Sequence, residues 1–315
     1  MTYGRQTAVK EAQIVEIFRR IGGIPSPPVR PILPSPLPFR YRGRAEFHFR
    51  AGADGRVRAG FMQPRAHRIV EIDCCGIVHA SIEEQFLAYR DDLRRLGIPP
   101  PKQRLLFWSD EGDAESRGEE DGAEEGCILR AVKGCSFLVP ADGFFQANGS
   151  LAGSLVDAVV ESCGLRGTEA VLDVYSGSGL FALFLAPFAG RVFGIERDPA
   201  AVRCARRNAE RLGAGNTEFV CGDAGTALSR DFSIPHSEID VVVLDPPRMG
   251  VSPRTVEQLL RLRPQRIVYV SCDPATQARD VRRLSDKGFA LRSLQPLDMF
   301  PQTSHVEVVG LLEAL

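Results

Sequence analysis

Val171-Leu172-Asp173-Val174-Tyr175-Ser176-Gly177-Ser178-Gly179-Leu180 reads as a buried strand that runs into a glycine turn and then a helix. Val171, Leu172 and Val174 suit a parallel strand covered on both faces. Gly177 and Gly179 let the backbone approach a ligand closely at the strand's carboxyl end. Downstream, further short apolar runs at Val192 to Ile195, Phe219 to Cys221, Val241 to Leu244 and Ile267 to Val270 alternate with helical stretches. Upstream, Leu155, Val156, Val159 and Val160 form a helix face that stops at Gly164. From about Ala141 onward this alternation predicts an α/β doubly wound parallel sheet.

The residues that follow each strand narrow the chemistry. Glu196 lies about 20 positions beyond the glycine turn, where an acidic residue accepts from ribose hydroxyls. Asp223 follows the third strand and is placed to meet an adenine edge. Asp198-Pro199 starts a helix and is read as a structural cap. Nicotinamide enzymes share the turn and the acidic residue, so these features alone leave the class open. The fourth strand ends in Asp245-Pro246-Pro247-Arg248, a carboxylate and a stiff turn found in methyltransferases that act on planar nitrogenous substrates. Arg248 stands where amino-methyltransferases usually carry a stacking aromatic residue and where cytosine C5 enzymes of RNA often carry cysteine. The fifth strand ends in Ser271-Cys272-Asp273-Pro274. Asp273 as N-cap and Pro274 as the first helical residue predict that Cys272 sits beside free helix amides, which favour a thiolate.

The chain has 315 residues, 44% of them apolar, and a net charge of −1. That is enough for two domains with a large core. No apolar run is long enough to span a bilayer, and the N-terminus lacks a signal-peptide pattern, so a cytoplasmic protein without a membrane partner is predicted. The eight cysteines are scattered with no C-x-x-C pair, which predicts reduced thiols and no metal site. Residues 1–40 are read as an N-terminal helix around Ile14, Ile17, Phe18 and Ile21, followed by a proline-rich connector. Residues 41–140 are read as a smaller strand-rich domain, with a turn at Ala53-Asp54-Gly55 and a solvated acidic loop from Asp110 to Glu125. Between Arg40 and Arg68, eight arginines face only Glu46 and Asp54. With Phe47, Phe49 and Phe61 this segment is the predicted RNA-facing surface. Residues 141–315 form the third segment, the doubly wound domain.

From about Tyr41 to the C-terminus the chain resembles the RNA 5-methyluridine (uracil-C5) methyltransferases. Five ordered motifs carry the resemblance: Phe144-Phe145-Gln146-Ala147-Asn148, the Asp173 to Gly179 turn, Asp245-Pro246-Pro247-Arg248, Ser271-Cys272-Asp273-Pro274-Ala275-Thr276, and Phe300-Pro301-Gln302-Thr303-Ser304-His305-Val306-Glu307. The resemblance implies a Rossmann-like class I methyltransferase fold and S-adenosyl-L-methionine as cofactor. It implies cofactor contacts from Gln146, Tyr175, Gly177, Glu196, Asp223 and Asp245, with Cys272 as nucleophile and Glu307 as base. The expected substrate is a uridine in transfer or ribosomal RNA, and the expected state is a monomer. The chain departs from the pattern in three ways: no RNA-binding barrel precedes the connector, Cys74 or Cys75 matches only the last ligand of an iron-sulfur set, and Leu180 replaces a frequent asparagine.

Two rival readings are weighed against this one. A methyltransferase acting on cytosine C5 or an exocyclic amine is disfavoured by Arg248 and by the Cys272/Glu307 pair. A non-catalytic RNA-binding or RNA-remodelling protein has no need to keep both of those residues.

Overall fold

The computed structural model describes residues 1–52, 56–64, 66–110, 126–228 and 239–315. The turn at residues 53–55 and the acidic loop beyond Asp110 fall outside the described residues. The chain divides into two compact units. Met1–Pro36, Ala123–Phe145 and Leu151–Leu315 make the first, and Leu37–Gly122 with Gln146–Ser150 make the second.

The N-terminal helix α1 (Tyr3–Arg20) belongs to the first unit. The second unit holds β1 (Arg44–Ala51), β2 (Val57–Met62), β3 (Ile69–Glu71), α2 (Ala80–Leu96) and β4 (Arg104–Trp108). Its strands form one antiparallel sheet in the order β3-β2-β1-β4. Period-2 alternation along β1 sends Ala45, Phe47 and Phe49 inward, as a half-buried strand requires. Phe47 stacks on Phe86 of α2 at 4.1 Å and on Phe61 at 4.9 Å between ring centroids. Phe47 and Phe49 are therefore in this unit's core, with Phe61 packed against it. Arg50 and Arg58, paired across β1 and β2, stay exposed on the strands' polar positions.

The first unit resumes with the hairpin β5 (Cys127–Val132) and β6 (Cys135–Pro140), then α3 (Gly149–Cys163), β7 (Ala170–Val174), α4 (Leu180–Leu185), β8 (Arg191–Glu196), α5 (Pro199–Arg211), β9 (Thr217–Cys221) and α6 (Ala224–Ala227). It ends with β10 (Ile239–Leu244), α7 (Pro253–Leu262), β11 (Arg266–Ser271), α8 (Pro274–Ser285), β12 (Phe289–Leu297) and β13 (Glu307–Ala314). Seven strands make one sheet, in the order β12-β13-β11-β10-β7-β8-β9. The five strands from β9 to β11 are parallel, and β13 runs antiparallel between β11 and β12. Counted from β7, the order is 3-2-1-4-5-7-6, whereas the dinucleotide-binding fold has 3-2-1-4-5-6. The reversed last strand is absent from the all-parallel reading of the sequence. Strand order switches direction between β7 and β10, the place where open α/β sheets bind ligands.

The boundaries drawn from sequence at residues 40 and 140 do not coincide with the two units, for two reasons. The proline connector is tied to β12 through Arg30 N–H to the Leu294 carbonyl (2.8 Å) and Leu33 N–H to the Pro296 carbonyl (2.9 Å). The β5–β6 hairpin is held by Asn208 of α5, which is fully buried. Its side-chain oxygen accepts from Leu138 N–H (2.7 Å), and its amide donates to the carbonyls of Leu138 (2.9 Å) and Ser178 (3.0 Å). No described helix is long and apolar enough to cross a membrane.

Candidate active site

The parallel strands deliver their last residues to one edge of the sheet. In spatial order these are Cys272 after β11, Asp245 after β10, Tyr175 after β7, Glu196 at the end of β8 and Asp223 after β9. The glycine turn between β7 and α4 uses positive φ at Gly177 (54°) and Gly179 (88°), as the sequence predicts. Tyr175 also has positive φ (71°), a conformation that costs a non-glycine residue on the order of 1 kcal/mol. The Ile195 carbonyl holds it there by accepting from both Tyr175 N–H (2.8 Å) and Ser176 N–H (3.0 Å). Burial raises the affinity of its phenol for the proton, offset in part by a hydrogen bond with Thr255.

Glu196 closes the turn. Its carboxylate accepts from Gly177 N–H (3.1 Å) and Asp198 N–H (2.8 Å), so backbone donors fix its direction. Asp198 caps α5 by accepting from Ala200 N–H (2.9 Å), the structural role read from sequence. Beneath the turn, Ser176 Oγ, Ser178 Oγ and one Asp173 oxygen are buried without a partner among the described residues. The other Asp173 oxygen accepts from Ala182 N–H at 3.0 Å. Asp173 is fully buried, and loss of solvent, with the Asp245 carboxylate second, pushes its carboxyl up to about 8. A carboxylate fixed by backbone donors beside a glycine turn, as Glu196 is, suits a ligand that carries ribose hydroxyls.

The other half of the edge brings Cys272 and Glu307 together. In the β11–β13 ladder Ser271 pairs with Val308, so the next residue on each strand, Cys272 and Glu307, face across the same edge. Cys272 is half-buried and Glu307 is 5% exposed. Burial first, and the Asp245 carboxylate second, hold the Glu307 carboxyl well above the usual range. Burial likewise raises Asp245, which keeps some access to solvent at the strand end.

The helix amides expected to activate Cys272 are not free. Asp273 caps its own helix, and one of its oxygens accepts from both Ala275 N–H and Thr276 N–H at 3.0 Å. Burial, followed by the Glu307 carboxylate, pushes the Cys272 thiol up to about 11, with the Arg248 guanidinium pulling the other way. The free amides that the sequence reading places beside Cys272 are occupied by Asp273. Arg248 also lies 3.4 Å from His305 Nε2.

Gln146 is half-buried in the short segment 146–150, which belongs to the second unit. Leu180 is buried at the start of α4.

Three residues missing from the sequence reading brace this half. Gln277 of α8 is fully buried and donates to the carbonyls of Tyr269 (2.7 Å) and Val308 (3.1 Å), which ties β11 to β13 behind Cys272 and Glu307. Asp280, also fully buried, accepts from Val251 N–H (2.9 Å) and the Tyr269 hydroxyl (3.0 Å) and so fixes the turn after Pro246-Pro247. Lys10 of α1 is paired with Asp298. All three look like ordinary polar helix positions in the sequence, because their partners come from distant segments.

A mixed sheet in this order, with a glycine turn after its first parallel strand and acidic residues along the carboxyl edge, defines a class I methyltransferase. A model of the tRNA (uracil-5-)-methyltransferase family matches residues 131–315, and the chain belongs to that family. An uncharacterized RNA methyltransferase of Halalkalibacterium halodurans is 32% identical over 366 residues, which cover 99% of this chain and 80% of the relative. One from Gloeobacter violaceus is 32% identical and covers 99% and 78%. Among solved structures, the Pyrococcus abyssi tRNA (uracil-54, C5)-methyltransferase in complex with S-adenosyl-L-homocysteine superposes with a TM-score of 0.72 at 27% identity. That match covers 99% of this chain and 84% of the other.

Proposed function

We propose that the protein transfers a methyl group from S-adenosyl-L-methionine to C5 of a uridine in transfer or ribosomal RNA, with Cys272 as nucleophile and Glu307 as base. The observation that carries this reading is the β11–β13 register, which sets a thiol and a buried carboxyl side by side at the edge that also carries Glu196 and Asp223.

Glu196 and Asp223 would hold the adenosine part of the cofactor, with Tyr175, Gly177 and Asp245 lining the turn; Gln146 is a further proposed cofactor contact. Bound there, S-adenosyl-L-methionine supplies an electrophilic methyl group on a sulfonium. Uracil C5 is too weakly nucleophilic to take that group unaided. The Cys272 thiolate bonds to C6, and the displaced electron pair moves to C5 and the C4 carbonyl oxygen. With the methyl group moved to C5, and the electron pair of its former bond left on the sulfur of S-adenosyl-L-homocysteine, Glu307 takes the C5 proton. The electron pair returns to the ring, the Cys272–C6 bond breaks, and the thiolate leaves. A buried carboxyl with raised proton affinity suits this task, because its carboxylate is a stronger base than that of an exposed glutamate. Cys272 must lose its proton before it bonds to C6. Arg248 is the cation placed to stabilise the thiolate at that moment.

Arg44, Arg50 and Arg58 of the second unit are proposed RNA contacts. Arg44 has a buried Nε with no partner among the described residues and lies over the Trp108 ring at 5.4 Å. The target uridine leaves its stack to reach Cys272, so a loop is favoured over a duplex.

Nucleoside mass spectrometry of unmodified transfer and ribosomal RNA transcripts, after incubation with purified protein and S-adenosyl-L-methionine, tests the reading. The expected product is 5-methyluridine in one of the two. A methylated cytosine or purine as the product would replace this target, and no methylated nucleoside from either RNA would favour a non-catalytic role.

A further inference from the structure

The loop that runs from β12 to Glu307 is held from the N-terminal helix. Lys10 of α1 is 3% exposed and spends all three ammonium protons on this loop. It pairs with Asp298 at 2.6 Å, donates to the Phe300 carbonyl at 3.0 Å and donates to the His305 carbonyl at 2.7 Å. Asp298 is fully buried, and its second oxygen has no partner among the described residues. One turn earlier in α1, Gln6 exchanges hydrogen bonds with Gln302. Its amide donates to the Gln302 side-chain oxygen at 2.9 Å, and its oxygen accepts from Gln302 N–H at 3.2 Å. Gln302 has positive φ (62°), which a single helix-facing hydrogen bond helps to hold.

These polar contacts do work that packing does not. A surface pocket of about 450 Å³ opens beside α1 and the loop, lined by Gln6, Lys10, Gln13, Gln302, Thr303 and Ser304 among others. The loop's own order is local and small: Thr303 Oγ1 donates to the Phe300 carbonyl (2.7 Å) and accepts from His305 N–H (3.2 Å). A buried lysine that satisfies one carboxylate and two carbonyls of a single loop is costly to desolvate and is specific in geometry. Burial of a cation there is unnecessary for an ordinary packing contact, which Ile14 and Phe18 in the core already provide.

We infer that Lys10, seconded by Gln6, is a positioning residue that sets the Glu307 carboxyl against C5 of the target base by fixing the two carbonyls that lead into it. His305 and Glu307 are two residues apart, so a shift at the His305 carbonyl carries directly to Glu307 and to the His305–Arg248 contact. The inference rests on the reading of Glu307 as the base. Its signature is selective: when Lys10 is lost, addition of Cys272 and methyl transfer persist, while proton removal and release of Cys272 slow. Methylated protein–RNA adduct should then accumulate.

The experiment measures the fraction of enzyme trapped on RNA in denaturing gels during turnover with S-adenosyl-L-methionine. It compares wild type, Glu307→Gln, Lys10→Met, the pair Lys10→Met/Asp298→Leu and Gln6→Ala. Fold and S-adenosyl-L-methionine affinity are checked on each. Glu307→Gln should trap most of the enzyme, the two Lys10 variants should raise the trapped fraction at least about fivefold over wild type, and Gln6→Ala about twofold. The double variant removes the unpaired carboxylate that Lys10→Met leaves behind, so it keeps the fold testable. Should both Lys10 variants fail to fold, Gln6→Ala decides. Folded variants that turn over more slowly with no rise in adduct would overturn the inference and leave Lys10 a structural residue. If Glu307→Gln itself traps nothing, the reading of Glu307 fails first, and with it the premise of this inference.

Discussion

The two halves of the sheet's carboxyl edge are built on different principles. From β7 to β9 the side chains stay near solvent and are oriented by neighbours. Glu196 is aimed by the amides of Gly177 and Asp198, and Asp198 caps its own helix. From β10 to β13 the carboxyls are buried, and their supports come from far along the chain: Gln277 to Val308, Asp280 to Val251, and Lys10 to Asp298 across almost the whole sequence. A half that binds a polar ligand needs exposed acceptors at fixed directions, which short loops and caps supply. A half that moves a proton needs groups of altered basicity. That requires burial, and burial of charge requires partners recruited from elsewhere.

The contrast predicts different failures. Cys272→Ala should bind S-adenosyl-L-methionine with wild-type affinity by titration calorimetry yet lose turnover by on the order of 10⁴-fold, the scale of removing an activated nucleophile. Asp223→Ala should instead weaken cofactor binding by roughly tenfold, the value of about one hydrogen bond to a charged group. Turnover by Cys272→Ala near wild type would erase the division of labour.

Stability should divide the same way. Asp280→Ala strands Val251 N–H and the Tyr269 hydroxyl in the interior and should cost about 3 kcal/mol in urea unfolding. Asp198→Ala removes one helix cap in the other half and should cost about 1 kcal/mol. Equal costs would mean that the long-range braces are no more than local caps.

Asp173 lies between the halves and supplies a dependence on pH. Its carboxyl is raised from 3.8 to about 8 in the folded protein, so the native form keeps the proton that the unfolded chain gives up. Its contribution is therefore fully present below about pH 4 and is lost as pH rises through about 8, with a slope of at most about 1.4 kcal/mol per pH unit. The stability of Asp173→Asn minus that of wild type should grow across this window and level off above it. A difference that does not vary with pH would place the ionised carboxylate in the native state.

What could be read from the sequence follows the same line. The five parallel strands, the glycine turn, Glu196 and the Asp198 cap were legible, because each is specified by residues within a turn or two of itself. The reversal of β13 was not, since an antiparallel and a parallel strand of buried Val and Leu look alike in sequence. Phe47 and Phe49 alternate as a core strand does, and core is where they lie. Cys272 and Glu307 were legible only through their flanking motifs, and the surroundings of the thiol were not: Asp273 was read as a cap, yet a cap consumes the amides that were to activate its neighbour. Lys10, Gln277 and Asp280 carry no local signal at all.

The central claim is that Cys272 bonds to C6 of the target uracil while Glu307 removes the proton from C5. RNA carrying 5-fluorouridine tests it most directly, because fluorine at C5 leaves no proton for a base to take. With S-adenosyl-L-methionine present, wild-type protein should stop as a covalent complex. Mass spectrometry of the digested complex should find one fluorinated, methylated nucleotide on the peptide that contains Cys272. Absence of any such complex with an RNA whose unfluorinated form is converted to 5-methyluridine, or attachment at another residue, would contradict the account.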